Sequence, residues 1–311
     1  MLKKIYHLLR LNKIKDAYIN KKISILYDLM AHGKIDDKKY LIKMGKIYLG
    51  YKMNLDLPKT FNEKINWYKI NYLNDVMTQL VDKIEVKKYI TDCNLKHILI
   101  PTIKEYASVN DIIFDDLPQK FVIKNSIDSG GVFVCRDKNQ ITIEDIKNKL
   151  NIINSIFLNG KHKYRELAYE KTKNRIIVEE LLETEDNHSP MDYKFFCFNG
   201  EPRFLFVGSE RDIGVKFDFY DIDFNWLNVR QGHENNINKP KKPSNYSEML
   251  NIARILSKNF PHVRVDLYNI NGKIYFGEMT FYHDAGLVPF SNIKWDYEFG
   301  KYFELPNINS K

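Results

Sequence analysis

RVDLYNINGKIYFGEMTF, residues 264–281, is the stretch whose reading decides the fold. Two β-rich runs flank Asn271-Gly272, a dipeptide that favours a tight turn, so the stretch reads as a β-hairpin. In the first run Val263, Val265 and Leu267 share one face, and Arg264 and Asp266 share the other. In the second, Phe276, Glu278 and Thr280 share a face. A regular two-residue turn pairs Val265 with Glu278 and puts the two carboxylates on opposite faces. A three-residue loop pairing Ile270 with Ile274, or a bulge, sets Asp266 opposite Glu278 at about 5 Å between Cβ atoms. Like charges that close need a cation between them, and oxygen ligands beside phosphates suit Mg2+. The plainer reading sends each carboxylate separately into solvent.

Outward from this hairpin, β-rich runs recur from Ile98 onward: HILIP, KFVIK, GVFVC, RIIVEELL, DYKFFCFNG and RFLFV. Helical patterns intervene at 142–150 and 247–260, the second placing Met249, Ala253, Leu256 and Phe260 along one face. Residues 1 to about 90 read as helical, with Thr60-Phe-Asn-Glu63 forming a capping box. Strands and helices in runs, without regular alternation, indicate an α+β fold. Residues 235–245, NNINKPKKPSN, form a polar surface loop.

FVIKNSIDSGGVFVCRD, residues 121–137, reads as a hairpin with a small-residue tip. It is not a Walker A loop, because neither GK[ST] nor a helix follows the glycines. Gly130 and Gly131 let a backbone approach closely, and Lys124 at the strand end supplies a point charge for phosphate. Tips of this kind also occur without a ligand. Asp192 and Lys194, two apart on a strand, share a face. Together they suit a ribose hydroxyl and a phosphate, or form a plain surface salt pair.

A chain of 311 residues accommodates two domains or one large composite one. Its formal charge of +8 is concentrated at one end, since residues 1–52 hold 13 Lys and Arg against 4 Asp. A basic patch suits nucleic acid, anionic lipid or an acidic glycan. No RNP, zinc-finger or helix-turn-helix signature supports nucleic acid, which is set aside as a partner. Cys93, Cys135 and Cys197 have neither disulfide nor zinc spacing, as in a reducing compartment. No run reaches the ~18 apolar residues of a membrane span, and the N-terminus lacks a signal-peptide core, so the expected location is cytoplasmic. Leu2, Ile5, Leu8 and Leu9 share a helix face opposite Lys3, Lys4, Arg10 and Lys13. That helix either docks on the inner face of the membrane or packs on the protein body.

In their order, KTFNEKINWYKINYLNDVMTQLVDKIEVKKYI, DDLPQKFVIKNSIDSGG, RIIVEELL, DYKFFCFNG, the segment from SEMLNIARILSKNF through the hairpin, and WDYEFG resemble the ATP-grasp superfamily. Within it they resemble the TupA-like ATP-grasp family, linked to bacterial surface polysaccharide synthesis. The resemblance spans about residues 58–305. It implies two α+β subdomains clasping ATP: a helical basic region at 1–57, an α/β segment at 58–115, subdomain 1 at 116–186 and subdomain 2 at 187–311.

By the same resemblance, Lys83 and Lys124 contact the α- and β-phosphates under a lid of Ser129, Gly130 and Gly131. Glu179 accepts from the adenine amino group, Glu180, Leu181 and Leu182 line the adenine edge, and Asp192 takes the ribose. Lys194 reaches toward the phosphates, and Arg264 steadies the reacting carboxylate or acyl phosphate. Asp266 and Glu278 match the Mg2+ carboxylates; Thr280 stands where many members have Asn, and its hydroxyl is a weaker ligand.

The implied activity is an ATP-dependent carboxylate-amine ligase with ATP and Mg2+ as cofactors, joining a uronic acid or other surface-glycan carboxylate to an amine alongside glycan assembly enzymes. Three alternatives stay open. They are a kinase acting on a sugar or alcohol, a catalytically idle ATP-binding scaffold, and a glycosyltransferase using Asp221-Ile-Asp223 as a D-x-D pair.

Overall fold

The computed structural model describes residues 2–128 and 130–307, with side chains from residue 16 onward. Its centre is a six-stranded antiparallel sheet with the order β10-β9-β8-β7-β11-β12. These strands are β7 (Asp192–Phe198), β8 (Glu201–Ser209), β9 (Lys216–Asp221), β10 (Trp226–Leu227), β11 (His262–Ile270) and β12 (Lys273–Thr280). The central strand β7, DYKFFCF, is buried at every position except the half-buried Lys194 because both faces are covered. Helix α8 (Tyr246–Ser257) covers one face, bringing the Ala253 carbonyl to the Cys197 thiol. On the other face Phe196 meets Phe61 of α3 (Phe61–Asn71) and Phe299 of α9 (Ile293–Tyr302) in edge-to-face contacts of 5.8 and 5.1 Å between centroids.

A four-stranded sheet with the order β1-β6-β2-β3 is built from β1 (Thr102–Tyr106), β2 (Phe121–Asn125), β3 (Val132–Cys135) and β6 (Ile176–Glu179). Helix α6 (Ile143–Leu150) buries Ile146 and Leu150 against it. The stretch 97–101, expected as a strand, is not one. Lys96–Ile98 forms a 3-10 turn and β1 starts after Pro101, which has no N–H to give to a ladder.

The N-terminal part is helical as expected. Helix α1 (Leu2–Ala31) buries Ile23, Leu26, Tyr27 and Met30, one face of a 3.6-residue repeat, against Tyr40, Leu41 and Met44 of α2 (Asp37–Tyr48). The apolar and basic side chains expected at its start precede residue 16 and lie outside the described side chains. Thr60 caps α3 with the full capping box to Glu63. Short helices α4 (Asp75–Leu80), α5 (Val86–Asp92) and α7 (Leu167–Glu170), with the small hairpin of β4 (Phe157–Leu158) and β5 (Lys161–His162), complete the described elements used below. Arg165, just before α7, makes a two-pronged ion pair of 2.8 Å on each arm with Asp37, and Tyr40 Oη donates to the Lys163 carbonyl at 2.6 Å. These contacts tie α2 to the segment preceding α7. No described helix is long and apolar enough to cross a membrane.

Candidate active site

The site is built on the sheet face opposite α8. In β11 the odd residues Val263, Val265 and Leu267 join the main core, leaving Arg264, Asp266 and Tyr268 on the other face. Across the ladder these oppose Phe196, Lys194 and Asp192 of β7. On the other side the hairpin turns through Asn271-Gly272, with Ile270 opposite Lys273, and the register slips one residue further on. Leu267 pairs with Phe276, Asp266 with Glu278, and Gly277 is bulged out. Of the two register shifts weighed above, the bulge is the one the chain uses. It corrects one expectation: Phe276 does not share a face with Glu278 and Thr280, because it sits opposite core Leu267 whereas they sit opposite Asp266 and Arg264. A Cβ at Gly277 would come within 3.0 Å of the Asp266 carbonyl oxygen, so close strand approach favours glycine there.

The result is a buried charge network. Arg264 holds Asp266 with both prongs at 2.7 Å, and its Nη2 also reaches Glu278 at 2.9 Å and the Thr280 hydroxyl at 3.1 Å. Its Nη1 donates to His283 Nδ1 at 2.7 Å, so Nε2 carries the imidazole proton toward Gln231 Oε1, 2.9 Å away. Lys194 pairs with Asp266 and, at 2.6 Å, with Asp192. Arg211 meets the same Asp192 oxygen at 2.7 Å. The other oxygen, Asp192 Oδ1, is buried and accepts no hydrogen bond. A buried orphan acceptor is costly unless a ligand donor completes it.

Burial raises the Asp266 pKa to about 6 against the pull of Arg264 and Lys194, with the charges of Asp192 and Glu278 adding to it. Burial acts on Glu278 too, but the charges of Lys194, Arg264 and Lys83 outweigh it and hold that carboxyl well below the usual range. No group of three or more His, Cys, Asp or Glu among the described residues is arranged to hold a metal ion. The available donor set is two facing carboxylates, enough for Mg2+ only when phosphate oxygens and waters complete its shell. That arrangement fits a metal arriving with a nucleotide.

A cleft of about 420 Å³ lies between the two sheets. Lys83, Lys124, Gly130, Asp192, Lys194, Asp266 and Glu278 line it, as do Glu180, Leu181 and Leu182 just after β6. Four other expected residues, Glu179, Gly131, Arg264 and Thr280, are not in that lining. Both oxygens of the Glu179 carboxylate are 2.6 Å from lysines, Lys124 and Lys87. The Gly131 N–H donates to Asp128 Oδ1 at 2.8 Å, and a Cβ there would meet Asn125 Nδ2 at 2.0 Å, so the loop is closed tightly on itself. Ser129 lies outside the described residues. Arg264 and Thr280 line an adjoining hollow that shares Glu278 and Asp128 with the cleft.

Tyr268, Lys149 and Arg211 also line the cleft and were not anticipated. Tyr268 had a signal, as the next residue after Asp266 in the period-two pattern. Lys149 on α6 and Arg211 on the loop after β8 reach the site only through tertiary packing. The D-x-D pair does not reach it. Asp221 closes a surface turn, accepting from the backbone N–H groups of Asp223 and Asn225 at 3.0 and 2.8 Å, as such pairs commonly do.

A family model described as TupA-like ATPgrasp matches residues 63–304. No curated protein matches the chain. Among solved structures it is similar to D-alanine–D-alanine ligase from Bacillus anthracis complexed with ATP, at 15% identity and a TM-score of 0.37, covering 65% of this chain and 54% of that one. For D-alanine–D-alanine ligase from Helicobacter pylori the values are 16%, 0.37, 73% and 61%. For carboxyaminoimidazole ribonucleotide synthase from Aspergillus clavatus complexed with ATP they are 9%, 0.35, 65% and 45%. The chain thus spans between 45% and 61% of the length of these three proteins.

Proposed function

We propose, from the premise that this chain belongs to the TupA-like ATPgrasp family, that it is an ATP-dependent carboxylate-amine ligase working through an acyl phosphate. The acid is a uronic acid or another component of a bacterial surface polysaccharide. The observation that supports this reading best is the single cleft shared by Lys83, Lys124, Asp192, Asp266 and Glu278, in which Asp192 carries a buried acceptor without a partner that a ribose hydroxyl could satisfy.

In this reading the adenine rests against Glu180, Leu181 and Leu182, the ribose donates to Asp192 Oδ1, and Lys83 and Lys124 neutralise the α- and β-phosphates. Asp266 and Glu278 would hold Mg2+, which when bound polarises the phosphoryl oxygens and draws off charge. The acid oxygen attacks the γ-phosphorus, ADP leaves, and the amine then displaces phosphate from the acyl carbon. Most of the protein's part is positioning and charge compensation, so no nucleophilic side chain is required. Burial pushes the Lys83 pKa down against the pull of Glu278 and Asp128, and a triphosphate arriving beside it would push it back up.

The test is incubation with ATP, Mg2+, a panel of uronic acids and hydroxylamine. An acid-dependent hydroxamate with stoichiometric ADP supports the ligase. ADP release with phosphate retained on the acid or sugar, and no hydroxamate, contradicts it.

A further inference from the structure

The adjoining hollow encloses about 320 Å³ and shares Glu278 and Asp128 with the cleft between the sheets. Its walls carry Tyr48 at the end of α2, Tyr164 and Tyr169 around α7, and Tyr282 beyond β12. Tyr169 is held by stacking on His162, 5.6 Å between centroids at 21°. Tyr282 is 3% exposed, and its hydroxyl has no partner at hydrogen-bonding geometry.

Two carboxylates, Glu166 and Asp284, line this space with no lysine or arginine at ion-pair distance among the described residues. Glu166 has no side-chain hydrogen bond, and its nearest charged-type neighbour is His162 Nε2 at 3.8 Å. Burial pushes the His162 pKa down to about 3, so that ring is neutral. The Lys69 ammonium donates to Asn66 Oδ1 at 3.0 Å and to the Tyr164 carbonyl at 2.9 Å, and from beyond ion-pair distance its charge partly offsets the burial that raises the Glu166 pKa to about 7. Asp284 has only His283 Nε2, 3.4 Å away, and burial keeps that ring neutral as well. Asp284 and Ala285 hold positive φ of 46° and 54°, followed by Gly286 at 59°. A run of left-handed residues is strained and persists only where its surroundings fix it. Here Asn66 of α3 donates to the Gly286 carbonyl at 2.7 Å, and a Cβ on Gly286 would meet α3 at 2.7 Å. The fold thus holds Asp284 in this unusual backbone in the wall of a tyrosine-lined hollow.

We propose that this hollow seats the amine substrate, with its ammonium between Glu166 and Asp284 and its body against the tyrosine faces. The inference rests on the ligase reading, and it assigns the charge class of the second substrate. The cationic amine is drawn to two carboxylates that have no lysine or arginine at ion-pair distance among the described residues, and its approach favours the ionised form of Glu166. Aromatic walls suit a compact hydroxylated body such as a sugar ring.

The experiment is calorimetric titration of the full chain, saturated with Mg2+ and a non-hydrolysable ATP analogue, with glucosamine, glucose and glucuronate. These share one body and carry positive, zero and negative charge. Glucosamine is expected to bind most tightly, and Glu166→Gln and Asp284→Asn each to weaken it about ten- to a hundredfold. Asparagine tolerates left-handed backbone, so Asp284→Asn keeps the turn. Equal affinity for the three sugars, absence of binding by all, or tighter binding of glucuronate overturns the inference. Failure of the ATP analogue itself to bind removes the ligase reading; its binding without a preference for glucosamine removes only the amine seat.

Discussion

Asp266 stands directly opposite Glu278 although the two-residue turn between their strands would pair it with Gly277, and that looped-out glycine is what brings the two carboxylates together. It also turns Phe276 and Glu278 to opposite faces, one into the core and one into the site. The first prediction concerns this residue. Gly277→Ala brings a methyl to 3.0 Å from the Asp266 carbonyl, so the strand must shift. The expected loss is about 1–3 kcal/mol of stability in urea melts, together with weaker Mg2+-dependent nucleotide binding. A variant with wild-type stability and binding would mean that the bulge is not needed for the pairing.

Asp266 itself answers to Arg264 and Lys194, whose side chains are 7% and 12% exposed. Asp266→Ala leaves Arg264 buried without its main anion and Lys194 with Asp192 alone, a change that typically costs about 3–5 kcal/mol. Asp266→Asn keeps the shape and an acceptor, and is expected to cost less while still losing turnover. Denaturation curves for the two variants check the order, and equal stability contradicts it.

Asp192 Oδ1 is expected to gain its hydrogen bond from the ribose. Wild-type protein should therefore bind at least one of 2′-deoxy- and 3′-deoxy-ATP about tenfold more weakly than ATP. Asp192→Asn should narrow that ratio. An unchanged ratio places the ribose elsewhere.

His162, His262 and His283 are buried, and burial lowers their pKa values from 6.5 to about 3, 3 and 4. The unfolded chain therefore takes up protons first. Stability from these rings is complete above about pH 6.5, and it falls toward pH 4 by up to about 1.4 kcal/mol per pH unit for each. Burial raises Asp266 to about 6 and Glu166 to about 7, and these act in the opposite sense over part of that range. A difference measurement isolates one ring. His262 lies within 5.2 Å of the centroids of Phe61, Phe198 and Phe303, so His262→Phe suits the site. Urea melts between pH 6 and 4 should show a slope smaller by about 1.4 kcal/mol per unit in the variant. An identical slope contradicts the neutral buried ring.

Much of this was legible where the signal is local. The alternation in β11 fixes which face Arg264 and Asp266 share, and the Thr60 and Glu63 pattern marks the start of α3, because both depend on residues a few positions apart. What the residues alone left open is set by distant partners. Either a loop or a bulge met the register condition, and close approach to Asp266 favours a bulge at glycine. Glu179 was read as a ligand for adenine, but nothing near it in sequence announces Lys87 and Lys124, which reach it from α5 and a neighbouring strand. Strand β9 went unread although KFDFYD alternates, and the tie from α2 to the α7 region joins residues 128 positions apart.

The central claim is that the cleft between the sheets grips a magnesium-bound nucleotide through Lys124 and the pair Asp266 and Glu278. Calorimetric titration with ATP, with and without Mg2+, tests it most directly. Binding should require Mg2+, and Lys124→Met and Asp266→Asn should each weaken it by at least about tenfold. No binding by folded wild-type protein, or one affinity shared by all three proteins, would contradict it.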